Sequence, residues 1–389
     1  MKSQIAATSA ILVAIALALA GQAEGQIYDT NNNYVQIFAG SGVASYLEGQ
    51  GTQAMFNQPS AVVADTSSNL FVLDSGNRRI RRITPSGSTS TFVGGGAGSL
   101  PGYGTSVSLE YYASGLGSMV IDHSNIVSIT VPGGLLRIFT DAYAEFLTFT
   151  GMTTQSGITV DSGNNLYYST ASGNQIYRLG ANGTLTLFAG NGSSGATDGN
   201  GIFASFNRPG AVAVDAANHV YVFDSGSHLI RRIDQSQNVT TIAGSGLSSD
   251  MDGQGTGAGF SSIYAMTVDD NGNVIMACGS SIRRMSASTN VTTVAGSFSQ
   301  NSYANGVGAL ARFDYATGVC LSQGMMFVAD AYNERIRQIS FDPQPQLVAT
   351  ANLAIHNYAG LTINGVVGRT TKFNPRRTRP TGQRAQGCF

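Results

Sequence analysis

The sequence predicts an all-β fold, a six-bladed β-propeller with four antiparallel strands per blade, on three observations. A strand-turn pattern recurs six times. Each recurrence divides into four short runs. The two ends of the repeated region carry complementary defects. The marker positions ending the first run of each unit are Asp65, Asp122, Asp161, Asp215, Asp269 and Ser322, so the steps are 57, 39, 54, 54 and 53 residues. A period of this size is the mark of a propeller or a solenoid.

The fourth unit shows how one blade is written. Ala211–Val214 reads as the innermost strand and stops at Asp215, and His219–Phe223 follows and stops at Asp224-Ser225-Gly226. Leu229–Ile233 alternates apolar residues with Arg, and Val239–Ala243 ends at Gly244. Each run is short, β-branched or aromatic, and bounded by turn residues. The turns are too short for anything but antiparallel neighbours. The sixth unit has only three such runs, Gly318–Leu321, Met325–Ala329 and Arg335–Ser340. The orphan run Tyr34–Gly40 near the start matches the missing fourth, like Thr240–Gly244. A first strand that completes the last blade removes a sheet edge and closes the ring; a solenoid needs no such pair of defects.

Composition agrees. Of 389 residues, 42% are hydrophobic and 11% charged, and 49 are Gly, which suits a turn-rich β core with little exposed helix. The charge is divided. Residues 24–342 hold 22 acids against 14 Arg, whereas 343–389 hold five Arg and Lys372 with no acid. An acidic body argues against a nucleic-acid partner. The paired Arg residues (Arg78, Arg79, Arg81, Arg82, Arg231, Arg232, Arg283, Arg284) repeat with the blades, which reads as a structural ladder facing solvent or neighbouring acids.

The chain divides into three expected regions. Residues 1–23 read as a signal peptide, with Lys2, an uncharged run Ile5–Ala20 and small residues for cleavage after Ala20 or Ala23. Residues 34–342 are the propeller. Residues 343–389 form a basic tail whose alternating Leu347–Thr370 resembles the start of a β-sandwich, expected to be cut short or frame-shifted. The expected location is therefore periplasmic, cell-surface or extracellular, with no transmembrane span after cleavage. Three cysteines, Cys278, Cys320 and Cys388, make no disulfide framework.

At this level of detail a family comes into view. Asp74-Ser75-Gly76-Asn77-Arg78-Arg79-Ile80-Arg81-Arg82-Ile83 and Asp330-Ala331-Tyr332-Asn333-Glu334-Arg335-Ile336-Arg337-Gln338-Ile339 resemble the core of the NHL repeat. The Gly-rich loops at Glu48, Asp198, Asp252 and Asn305, leading to Phe56, Phe206, Phe260 and Phe313, resemble the long-loop NHL repeats of exported bacterial proteins. The likeness covers residues 34–341, with units 2 and 3 departing from it. It implies a six-bladed propeller and no single activity: members include nucleic-acid binders, adhesion-type modules and hydrolase-like or lyase-like enzymes.

Strand alternation puts the fourth-to-first loops and the second-to-third turns on one face. That face carries five long loops, about 40–59, 94–113, 190–209, 244–265 and 296–316. Tyr46, Tyr103, Tyr111, Tyr112, Tyr264 and Tyr303 lie there among Ser, Gly and Asn, a composition suited to adaptable recognition. They are the candidate binding residues. The four Phe residues in register are expected to be plugs between blades.

Catalytic constellations are poor. The histidines His123, His219, His228 and His356 fall on different faces or in the tail and do not meet as zinc ligands. Asp65, Asp122, Asp161, Asp215 and Asp269 ring the axis on the short-turn face, where calcium is the conceivable guest, but each precedes a turn that such an Asp caps. Asp74, Asp224 and Asp330 read as turn caps too. No nucleophile and base are paired, and no cofactor is expected. The sequence thus favours a monomeric, non-catalytic scaffold binding protein or glycan through its long-loop face. The alternatives are a metal-assisted lyase or hydrolase on the Asp ring, and a structural or assembly module.

Overall fold

The structure is a computed structural model, and it describes residues 33–109, 117–149, 157–298 and 300–341. All of them belong to one compact unit, Met1–Gln344. The expected signal peptide, the tail, Tyr111 and Tyr112 lie outside the described residues.

Six antiparallel sheets stand in a ring. Blade 1 runs outward from the axis as Pro59–Ala64, Leu70–Asp74, Arg79–Ile83 and Ser88–Gly94. Blade 4 repeats this as Pro209–Val214, Val220–Asp224, Leu229–Ile233 and Asn238–Ala243. Blade 2 spans Met119–Ile121 to Tyr143–Thr148, blade 3 Ile158–Val160 to Leu185–Ala189, and blade 5 Ala265–Val268 to Asn290–Gly296. Blade 6 takes Ala316–Ser322, Met325–Asp330 and Arg335–Ser340 from the end of the region and Tyr34–Ala39 from its start. The innermost strands touch their neighbours in the order 1 to 6, and that of blade 6 touches that of blade 1.

The closing strand is held in register. Tyr34 pairs with Ser340, Val35 with Ile339 and Gln36 with Gln338, and the Gln36 amide donates to Gln338 at 3.1 Å. Val35 and Ala39 have no exposure, so the join is packed as well as hydrogen-bonded. Burying Val35 is worth about 2 kcal/mol.

One feature exceeds the four-stranded pattern. In five blades the incoming long loop folds back over the outer edge and adds a two-residue fifth strand: Gly49–Gln50, Gly102–Tyr103, Gly199–Asn200, Gly253–Gln254 and Gly306–Val307. Each is followed by a short 3-10 turn. Sequence periodicity misses a two-residue strand because it is shorter than the alternation it would have to display. Its effect is to cover the ladder groups of an otherwise open edge. Blade 3 has four strands among the described residues.

The core lies between blades. Phe56, Phe206, Phe260 and Phe313 are fully buried, as plugs must be. Cys278 and Cys320 are buried free thiols. No helix among the described residues is long and apolar enough to cross a membrane.

Candidate functional site

The long loops are fixed from within by four arginines. Arg81, Arg231, Arg283 and Arg337 occupy the middle of the third strand in blades 1, 4, 5 and 6, all with zero exposure. Beside each of the four the ladder to the fourth strand shifts register by one residue, a bulge that re-aims side chains.

Each guanidinium makes the same connections. Nη1 donates to the carbonyl just before the plug Phe, that of Met55, Ser205, Gly259 or Arg312, at 2.6–3.1 Å. Nη2 donates to the carbonyl just before the loop's acid or amide, that of Leu47, Thr197, Met251 or Ala304, at 2.6–3.0 Å. The plug ring lies 4.8–5.3 Å from the guanidinium carbon, within cation–π range. One side chain therefore pins a loop at two points and holds the plug. The expected ladder is present, and its role is to hold the loops.

The buried cations need counter-charge. Arg81 pairs with Asp74 at 2.9 Å, Arg337 with Asp330 at 2.7 Å, and Arg231 with Asp224 at 3.3 Å and Asp198 at 2.6 Å. Blade 5 differs: Cys278 stands at the Asp position, and Arg283 turns to Asp252 at 3.1 Å. In blades 2 and 3 the Arg position holds Leu136 and Tyr177, and the Asp position holds Val131 and Thr170. Charge and counter-charge disappear together there, as burial requires.

Asp74, Asp224 and Asp330 are thus more than the turn caps expected from sequence. They do accept the backbone N–H of Asn57, Asn207 and Asp314, but they also neutralise the ladder. Burial pushes the Asp224 and Asp330 carboxyls up to about 6 and raises that of Asp74. The loop acids do the opposite work at the outer strand. Glu48 accepts the Thr91 N–H, which holds its carboxyl below the ordinary value, and Asp198 and Asp252 accept those of Thr241 and Thr293. The Asp-Gly-x-Gly segments are therefore loop anchors.

The axial Asp residues cap turns. Asp65 accepts the N–H groups of Ser67 and Asn69, Asp122 those of Ser124 and Ile126, and Asp161 those of Gly163 and Asn165. Asp215 and Asp269 repeat this with Ala217 and His219, and with Asn271 and Asn273. Among the described residues no three His, Cys, Asp or Glu side chains converge as a metal site. His219 Nδ1 lies 2.9 Å from Asp215.

The candidate tyrosines fall into two groups. Tyr46 lies 4.1 Å from the Arg79 guanidinium and hydrogen-bonds Glu48 and Thr91; Tyr303 lies 4.1 Å from that of Arg335. Both are built into the ladder's outer layer while keeping 41% exposure. Tyr103 is 60% exposed, its ring centroid 4.9 Å from that of Tyr143. Tyr264 is half-buried, 4.7 Å from Tyr315, which stacks in turn on Tyr332 at 4.7 Å and 16°. Sequence reading omitted Tyr315 and Tyr332. The signal was available: aligned with the other repeats, they replace Gln58 or Arg208 and Gly76 or Gly226.

Two cavities reach this face. The axial one, about 740 Å³, is lined by the innermost strands of all six blades, with Arg208, His228 and Tyr264 at its long-loop end. The smaller, about 350 Å³, lies between blades 5 and 6 and is lined by Tyr264, Tyr315, Phe298 and Asn301 among others. Ser261, Ser262 and Tyr264 line both.

Comparison with known proteins agrees with this architecture. The NHL repeat model matches residues 206–233. NHL repeat-containing protein 2 of Gallus gallus is 39% identical over 92 residues, which is 23% of this chain and 12% of that protein. Among solved structures, a Bacteroides thetaiotaomicron protein of unknown function has TM-score 0.62 at 18% identity, over 79% of this chain and 76% of its own. An auxiliary nutrient binding protein of Bacteroides ovatus has TM-score 0.60 at 15% identity, over 80% and 77%. The chain thus carries an NHL repeat in blade 4 and shares the fold of these structures over about four-fifths of its length.

Proposed function

We propose that this protein is a non-catalytic binding scaffold that recognises a protein or a glycan through its long-loop face. One observation carries the reading: the buried arginines pin four of the loops, so Tyr46, Tyr264 and Tyr303 stand on loops fixed before any ligand arrives. Preorganised loops lose little conformational entropy on binding. The nutrient-binding name of the Bacteroides ovatus protein, which has a similar fold, fits this reading. Secretion by the N-terminal signal and a monomeric state belong to the same proposal.

A metal-assisted reaction on the axial Asp ring finds less support. Those carboxylates are spent on turn N–H groups, and a metal would have to compete with them.

The test is capture from the native cell surface with the full chain and with a Tyr103→Ala/Tyr264→Ala variant, followed by affinity measurement on the captured partner. The double variant is expected to bind much more weakly. Unchanged affinity contradicts the assignment of the face.

A further inference from the structure

Blades 5 and 6 depart from the repeat at adjoining positions, and the departures create the smaller cavity. In blade 1 the second-to-third turn places Asn77 against the neighbouring loop, donating to Ser45 and to Asp74. Blade 6 does the same with Asn333, Ser302 and Asp330. Blade 5 turns within Cys278–Ser281, two residues shorter than Asp74–Arg79, and carries no such Asn. The room left between its turn and blade 6 is the cavity of about 350 Å³.

Blade 6 puts Tyr315 into the lining of that room and stacks Tyr332 behind it, at positions where blades 1 and 4 carry no tyrosine. Tyr315 takes the place of Gln58 and Arg208, and like them it has a left-handed backbone, φ 67°. That conformation is costly for a bulky residue, by about 1–3 kcal/mol. Tyr332 takes the place of Gly76 and Gly226, where a Cβ would lie within 2.5 Å of the Asn57 or Asn207 side chain. Blades 1 and 4 are built without either ring. Their stacking on one another, with Tyr264 tilted against the inner one, makes a stepped aromatic wall.

We infer that this cleft is a subsite for one residue of a neutral carbohydrate chain; the inference rests on the proposed use of the long-loop face. Tyrosine rings present negative faces that attract C–H edges, and a pyranose offers such edges together with hydroxyls. Ser262, Ser280 and Asn301 supply neutral hydrogen-bonding groups around the wall. The one carboxylate, Asp250, already accepts from the Ser261 N–H and hydroxyl. Arg283 is buried on loop carbonyls and Asp252. The lining therefore offers no free charge to an ionic ligand. Its volume lies at the lower end for ligand pockets, the size of a single ring rather than a peptide segment. Shared lining through Ser261, Ser262 and Tyr264 lets the chain continue into the axial cavity.

The experiment titrates the full chain calorimetrically with neutral oligosaccharides of glucose, mannose, galactose and xylose, with oligogalacturonate and a mixed peptide pool as controls. The variants are Tyr332→Gly and Tyr315→Gln, which install the residues blade 1 carries at these positions and so spare the fold; melting curves verify this. At least one neutral oligosaccharide is expected to bind, and each variant to weaken it about tenfold. The subsite is overturned if no neutral oligosaccharide binds at roughly 10 mM, if only the acidic or peptide controls bind, or if both variants bind as the native chain does. Binding that survives these substitutions but is lost in Tyr103→Ala, which lies outside the cleft, removes the subsite and leaves the face. Binding indifferent to all of them removes both.

Discussion

The guanidinium of Arg337 donates to the carboxylate of Asp330 at 2.7 Å, and neither side chain has any exposure to solvent. The same Arg holds the Arg312 and Ala304 carbonyls and the Asn305 amide oxygen. Removing one partner of a buried pair strands the other's charge in a low-dielectric interior. Arg337→Met is therefore expected to cost about 3–5 kcal/mol, read as a lower denaturation midpoint in urea. A loss below ~1 kcal/mol would place this pair with exposed ones.

The acid side of that pair gives a pH signature. Burial pushes the Asp330 carboxyl up to about 6 from an ordinary 3.8. A group that holds its proton more tightly when folded contributes stability fully present below its unfolded value. That contribution is lost as pH rises through the folded one. Asp330→Asn cannot titrate and lacks this dependence. The melting-temperature gap between native chain and variant is expected to widen as pH falls from about 6 to about 4. A constant gap means that the carboxyl does not titrate in that window.

Ring closure is testable by cross-linking. Gln36 and Gln338 are partners in the closing ladder although 302 positions separate them. Paired strand positions suit disulfide geometry. In a Cys388→Ser background, Gln36→Cys/Gln338→Cys is expected to oxidise within one chain, migrate faster on non-reducing gels and melt several degrees higher, with a gain of about 2–4 kcal/mol. Failure to oxidise would put Tyr34–Ala39 elsewhere.

The two core thiols should be silent. Burial pushes Cys278 up to about 12 and raises Cys320 as well. A thiol without thiolate is a poor nucleophile. Mass spectrometry after iodoacetamide treatment at pH 8 is expected to find both unmodified in the folded protein and both alkylated in urea. Rapid native labelling of Cys278 would mean that the cleft between blades 5 and 6 opens.

The ring was legible in the chain because propellers repeat. Phe56-Asn57-Gln58-Pro59 and Phe206-Asn207-Arg208-Pro209 lie 150 residues apart, and a strand ended by Asp recurs in register, so the blade count followed from spacing. The plug role of the four Phe residues followed in the same way, since equal positions in equal units share an environment. The missing fourth run of unit 6 and the orphan Tyr34–Gly40 pointed to how the ends meet. These features are local or periodic, and one-dimensional pattern carries them.

What connects different units was decided only by the tertiary structure. Nothing in Ile80-Arg81-Arg82 says which Arg turns inward to hold Met55 and Leu47 and which faces out. That depends on a one-residue register shift to the next strand, set by packing of both. Likewise Tyr264, Tyr315 and Tyr332 come from three segments, and their rings meet where the early turn of blade 5 lies beside blade 6. Sequence fixes each blade through its own hydrophobic alternation and turns. The chemistry of the face lies in gaps between blades, where side chains distant along the chain compete for one space.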